Sequence, residues 1–355
     1  MLKARQCVRE MREYHSPLSS PTTELRLDMN ESTTGCSPRV LAKLNSMDVG
    51  TLAQYPRREA GEKLVSDFLG VASQQLLLTN GADEAIDLLC RAYLEPQDEI
   101  VIVVPTFAMY EVFAQMEHAK AIRVPTGPDF SFPLERVLNA LTAKTRIVVI
   151  CNPNNPTGID VPRSAIMQVV QAAPDAAILL DEAYFDFYGQ TMIDQIGKLP
   201  NLFVARTFSK AYGLAGLRLG VMVGDQEQMS VLRRMASPFN VNAFAIECLA
   251  EALADRQFVA NYVAQVIASR EWLHKELEKL GFKCWPSHGN FILCRVGPEK
   301  KSILEALRAR AISLRDRPDC EGCVRITIGK QQEMERLMAE LKQVLSQLPA
   351  NQAAR

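Results

Sequence analysis

The residues best placed for chemistry lie in one run, Thr207-Phe208-Ser209-Lys210-Ala211-Tyr212-Gly213-Leu214-Ala215-Gly216-Leu217-Arg218-Leu219-Gly220. A single lysine stands among hydroxyls and glycines, and an arginine follows it at position 218. A lysine so placed can form a Schiff base with an aldehyde while the hydroxyls of Thr207 and Ser209 and the Arg218 guanidinium grip a phosphate. The same run also reads as an apolar strand, a turn with a solvated lysine and a glycine-rich strand. The segments upstream decide between the two.

Asn80-Gly81-Ala82-Asp83-Glu84 follows an apolar run and opens a helical one. Backbone N–H groups at Gly81, Ala82 and Asp83 can therefore bind a phosphate, with Gly81 permitting close approach, although helix capping explains the same residues. In Asn152-Pro153-Asn154-Asn155-Pro156-Thr157-Gly158 two prolines stiffen a strand end and present the Asn155 amide, a donor to an oxyanion such as a phenolate. A tight Asx/Pro turn is the alternative. Asp181-Glu182-Ala183-Tyr184 ends another apolar run. A carboxylate there can cap a helix, ligate a metal or hold a heterocyclic nitrogen protonated, and Tyr184 can reach an adjacent phenolate.

Stepping through the elements that must hold these groups, the pattern reads helix over 59–69, then strand, helix, strand, helix, strand over 75–79, 83–94, 99–104, 108–117 and 121–125. Short β-rich runs follow at 146–151, 177–180, 202–207 and 219–223, the first two separated by a helix over 163–172. This alternation predicts an α/β fold with a mostly parallel seven-stranded sheet covered by helices on both faces. Ligands of such sheets sit outside the carboxyl ends of the strands, where each of the motifs falls. A long, largely uninterrupted helical pattern runs over 243–280, and the strands 291–296 and 324–328 with helices 302–310 and 331–348 make a smaller α/β lobe. The expected division is an N-terminal arm over 1–37, a large cofactor-binding domain over 38–245, and an interdomain helix with the small domain over 246–355. A cleft between lobes is the expected substrate site.

The 355 residues include 40 basic and 41 acidic side chains, so no global field draws in nucleic acid or an anionic membrane, and any anion site must be local. No apolar run reaches the ~18 residues needed to span a bilayer, and the charged start is unlike a signal peptide, so a cytoplasmic protein is expected. Nine scattered cysteines fit reduced thiols. Cys320-Glu321-Gly322-Cys323 is a lone C-x-x-C without a second pair, and His15, His118, His274 and His288 form no ligand pattern, so no metal is expected.

With Asn155, Asp181, Tyr184, Lys210 and Arg218 in this order, the chain resembles the pyridoxal-5'-phosphate-dependent aminotransferases of fold type I, class I/II, and within them the histidinol-phosphate aminotransferase branch. The resemblance runs from Tyr14 to about Gly329. It implies that Lys210 forms the internal Schiff base and shuttles the substrate proton, that Asp181 pairs with the pyridine nitrogen, and that Asn155 and Tyr184 bind the phenolic oxygen. It further implies that Tyr110 stacks on the ring, and that Gly81, Ala82, Asp83, Thr207, Ser209 and Arg218 hold the phosphate. Tyr55 matches a tyrosine that reaches the neighbouring subunit's phosphate, which implies a homodimer. Arg325 matches the arginine that clamps the substrate anion, and Arg315 and Tyr14 resemble further substrate-binding residues. The implied activity is ping-pong transamination between histidinol phosphate and 2-oxoglutarate. A broad aromatic aminotransferase or a threonine-phosphate decarboxylase would use nearly the same residues. A nicotinamide dehydrogenase is the remote alternative, and it lacks the expected G-x-G-x-x-G. Asn30-Glu31-Ser32-Thr33-Thr34-Gly35 departs from the family's Asn-Glu-Asn-Pro near the substrate mouth.

Overall fold

A computed structural model describes residues 2–11 and 24–348. Twelve strands run in chain order as β1 (Leu25–Leu27), β2 (Leu76–Asn80), β3 (Glu99–Val104), β4 (Lys120–Pro125), β5 (Thr145–Cys151), β6 (Ala177–Asp181), β7 (Leu202–Thr207), β8 (Leu219–Gly224), β9 (Lys283–Cys284), β10 (Phe291–Arg295), β11 (Ile312–Arg317) and β12 (Cys323–Thr327). Seven of them form one sheet in the order β2-β8-β7-β6-β5-β3-β4. Strand β8 alone runs against the direction of the other six. Its central strands are near-continuous apolar runs, such as Ile147 to Cys151 and Ala177 to Leu180. Both of their faces are buried, as expected where helices cover a parallel sheet on each side.

The smaller sheet has the order β1-β11-β12-β10-β9. Three of its strands, β1, β9 and β11, were not foreseen, and β9 is only two residues long. Strand β11 mixes two arginines and an aspartate into a six-residue run, which hides its period, and β1 is only three residues long. Strand β1 belongs to the segment expected as an arm, yet it pairs in parallel with β11 and so completes the small sheet.

The long helical pattern over 243–280 is two helices, Ala243–Ala254 and Arg256–Lys279. They part at Asp255, whose carboxylate caps the second helix at Phe258 N, 3.3 Å away, and accepts a hydrogen bond from Ser37 Oγ at 2.5 Å. A side chain that satisfies an orphan N–H of a new helix competes with continuation of the old one. Among the described residues no helix is long and apolar enough to cross a membrane, and no group of three or more His, Cys, Asp or Glu could hold a metal ion. Cys320 and Cys323 are free and buried.

Candidate active site

A cavity of about 610 Å³ lies beyond the carboxyl ends of β6 and β7, where the small lobe faces the large one. Lys210, Asp181, Tyr184, Asn155, Thr207, Ser209, Arg218, Arg315 and Arg325 all line it. Side chains more than a hundred residues apart in sequence are thus gathered by the sheet's topology.

At one end lie groups that could hold a phosphate. The helix Gly81–Tyr93 starts directly from β2, so its first N–H groups face the cavity, and Ala82 and Asp83 line it. Gly81 adopts φ +77°, and a Cβ there would lie 2.5 Å from an Arg218 guanidinium nitrogen. A side chain would therefore fill the cradle that the arginine closes. Arg218 itself has φ 54°, which swings its side chain back over the helix start, where it reaches Asp83 Oδ2 at 3.0 Å. The Thr207 hydroxyl donates to Ser209 Oγ at 3.0 Å and accepts from Ser209 N at 3.1 Å, so both hydroxyls are held at the strand end.

The middle of the cavity carries the ionisable groups. Asp181 is buried, and burial pushes its carboxyl up from the usual range, opposed by a 2.5 Å hydrogen bond from Tyr110 Oη and by Ala183 N–H at 2.9 Å. Such a carboxylate gains from a cationic N–H placed beside it, as a protonated pyridine would supply. Lys210 Nζ donates to the Met29 carbonyl at 3.0 Å. Burial first, and then the Arg325 charge, lower its amine from 10.5 to about 8, so roughly a tenth of it is neutral at pH 7, far more than for an ordinary lysine. Burial raises the Tyr184 phenol to about 12, with Arg325 and the Asn30 hydrogen bond pulling the other way, so it is a donor rather than a phenolate.

At the far end, Arg325 of β12 is 5% exposed. Its guanidinium donates to Asn155 Oδ1 and to the Asp28 carbonyl, both at 2.6 Å. With its carbonyl oxygen engaged there, Asn155 turns its amide nitrogen, the donor, away from the guanidinium. Arg315 stands directly opposite Arg325 in the β11–β12 ladder and contacts Met29 Sδ at 3.8 Å.

Tyr110, expected on a ring face, is corrected. It is fully buried, does not line the cavity and spends its hydroxyl on Asp181. The preceding loop instead brings Phe107 to the wall, edge-on to Tyr110 with ring centroids 5.6 Å apart, so Phe107 is the aromatic available for stacking. Tyr55 lies outside the cavity, 76% exposed and stacked on Phe239 at 4.2 Å. Tyr14 and His15 lie outside the described residues. Sequence reasoning also missed Arg317, which lines the cavity and bridges the lobes by donating to the Thr106 carbonyl at 3.2 Å, and Met29 and Glu31 on the wall. Only the Asn30-Glu31 pair of the departing motif pointed at this segment.

Comparison with known proteins bears on the family and the fold. The family model for aminotransferase class I and II matches residues 22–341. A histidinol-phosphate aminotransferase of Dehalococcoides mccartyi (strain CBDB1) is 34% identical over 326 residues, covering 89% of this chain and 89% of that protein. One from Cytophaga hutchinsonii is 37% identical over 285 residues, covering 78% and 81%. The fold matches the crystal structure of histidinol-phosphate aminotransferase from Sinorhizobium meliloti in complex with pyridoxal-5'-phosphate, with a TM-score of 0.90 at 22% identity over 98% of each chain. A lysine, a buried acid and a phosphate cradle at the strand ends, together with a family match over most of the length, lead to one conclusion: the chain belongs to the class I and II aminotransferases, enzymes that work with pyridoxal 5'-phosphate.

Proposed function

We propose that this enzyme is a histidinol-phosphate:2-oxoglutarate aminotransferase of histidine biosynthesis, working as a cytoplasmic homodimer. The observation that carries the substrate reading is the Arg315–Arg325 pair, directly opposed on neighbouring strands and facing the cavity that holds Lys210. Two guanidiniums that converge on one cavity offer an anionic ligand several directed N–H donors. A phosphate-bearing amine and a dicarboxylic 2-oxo acid both suit such donors, and the relatives are named for the first of these, histidinol phosphate.

When bound, pyridoxal 5'-phosphate supplies an aldehyde and an electron-withdrawing ring. The backbone of Gly81, Ala82 and Asp83 with Thr207, Ser209 and Arg218 would hold its phosphate, Asp181 its ring nitrogen, and Asn155 and Tyr184 its phenolic oxygen. Phe107 would cover one ring face. Lys210 Nζ, partly neutral at working pH, takes the proton from the substrate's α-carbon and returns it one position away. Arg325 and Arg315 orient the substrate through its anionic group.

The proposed dimer is supported by exposed apolar groups near Tyr55. Val49 is 80% exposed and Leu52 60%, and Phe239 stacks on Tyr55 itself. Burial of this patch against a second copy would bring Tyr55 to that copy's phosphate cradle. Nine free cysteines support a reducing compartment. The division at 37 and 245 is proposed with one qualification, that β1 serves the small sheet. The test is the visible spectrum of cofactor-loaded protein. Histidinol phosphate should bleach the yellow band, and 2-oxoglutarate should restore it with formation of glutamate. Bleaching by phenylalanine but not by histidinol phosphate, or carbon dioxide release from threonine phosphate, would refute the substrate assignment.

A further inference from the structure

Residues 28–30 link three groups of the site. The Asp28 carbonyl accepts from Arg325, the Met29 carbonyl accepts from Lys210, and the Asn30 amide nitrogen donates to Tyr184 Oη at 2.9 Å. Asn30 is fully buried, and every polar atom it has is engaged. Its N–H donates to Thr327 Oγ1 at 2.9 Å, the Thr327 hydroxyl donates back to Asn30 Oδ1 at 3.1 Å, and its carbonyl accepts from Asn290 Nδ2 at 3.1 Å. This network fixes the amide's orientation. Thr327 already accepts the backbone N–H, so its own proton goes to Oδ1, which leaves the NH₂ end facing the phenol.

That direction matters because an amide nitrogen only donates. Tyr184 must therefore accept from Asn30, and its single O–H is left to point into the cavity. A hydroxyl that accepts one hydrogen bond also donates a second one more strongly. Asn30 stands at φ 53°, a left-handed conformation that asparagine and aspartate tolerate better than other non-glycine residues. The side chain is thus held by its backbone, by the small-lobe strand β12 through Thr327, and by Asn290 just before β10.

We infer that Asn30 is a positioning residue that sets the direction of the Tyr184 hydroxyl, making it an obligate donor toward the phenolic oxygen of the cofactor. The inference rests on the proposed placement of Tyr184 against that oxygen. The charged and titratable groups that also face Tyr184 are Arg325, Asp181 and Cys151, and those facing Lys210 are Arg325, Glu31, Asp83 and Arg218. None of them can replace the amide as a fixed donor to the phenol from the side of residue 30.

The experiment uses cofactor-loaded protein and reads the pH midpoint at which its visible absorption changes. A donor on the phenolic oxygen draws electron density from the neighbouring nitrogen and keeps this midpoint low, so loss of the donor raises it. Tyr184→Phe should raise the midpoint by about one pH unit. Asn30→Asp keeps the size, the backbone tolerance and the acceptor for Thr327 but turns the donor into an acceptor that recruits the phenol proton, and it should raise the midpoint comparably. The double variant should match Tyr184→Phe alone. Asn30→Gly, uncharged and at ease at positive φ, should shift in the same direction and serves if the aspartate variant does not fold. An unmoved midpoint in Asn30→Asp or, in its stead, Asn30→Gly, or an equal further rise on adding Asn30→Asp in the Tyr184→Phe background, would overturn the inference alone. An unmoved midpoint in Tyr184→Phe would overturn the placement of Tyr184 and the inference with it.

Discussion

Lys210 makes the apoprotein less stable at neutral pH than it would be without a buried amine, and the cost has a defined pH window. Burial and the Arg325 charge hold the folded amine at about 8, against 10.5 for an ordinary lysine. At about 1.4 kcal/mol per pH unit this interval corresponds to about 3.5 kcal/mol, reduced to about 2–3 kcal/mol because the Lys210 side chain is only half-buried and water screens part of the charge. The sign follows from proton counts. Below about pH 8 folded and unfolded chains both carry the proton, and the full penalty is present. Between about 8 and 10.5 the unfolded state binds more protons, so stability rises with pH, and above 10.5 the penalty is gone. Urea denaturation of cofactor-stripped protein at pH 7 and pH 10.5, at one protein concentration, should show Lys210→Met more stable than the parent by about 2–3 kcal/mol at the lower pH and by less than about 1 kcal/mol at the higher. Equal differences at the two pH values, or a parent more stable at pH 7, would refute the reasoning.

Gly81→Ala places a β-carbon against the Arg218 guanidinium at a backbone φ of +77°, so it should cost about 1–2 kcal/mol in stability and weaken cofactor binding at least about tenfold, read by fluorescence titration. Unchanged affinity would show that the helix start is not the phosphate cradle. Arg325→Lys keeps the charge but loses the planar fork that spans Asn155 and Asp28, and should lower kcat/KM for the anionic substrates about 10- to 100-fold, mostly through KM. A fall confined to kcat would argue that the arginine does not bind substrate.

Much of the site was legible because its residues sit where chain order and strand ends coincide. Asn155, Asp181 and Thr207 terminate or follow apolar runs of five to seven residues, and such runs announce themselves by composition. The small sheet was less legible. Arg315 and Arg317 interrupt β11 with charge because the cavity, not the core, is what they face, so the function that needs them erases the strand signal. The Tyr110 and Phe107 exchange has a similar origin. Both aromatics stand in one short segment, and which of them faces the cavity depends on how the helix Met109–Met116 turns against the sheet, a tertiary choice that no local pattern encodes. The contacts of residues 28–30 are backbone carbonyls and one amide, which carry almost no sequence signature.

The distribution of charge explains how a chain with a net charge of −1 can present an anion site. On the large-lobe side the cations have acids at hand. Arg218 meets Asp83 at 3.0 Å, and Asp181 and Asp83 line the same cavity as Lys210. On the small-lobe side Arg317 is held by Asp319, Glu31 is drawn to Arg26 at 3.0 Å, and Arg325 donates to oxygens of Asn155 and Asp28 that fix its geometry. Two ends of one cavity thus do different work. The end at Arg218 can hold a phosphate that stays, and the end where Arg315 and Arg325 converge can exchange one anion for another, as an enzyme with two substrates in one site requires. Long-range steering contributes little at this net charge, so discrimination has to arise from contact with the arginines, within a Debye length of about 8 Å at physiological salt.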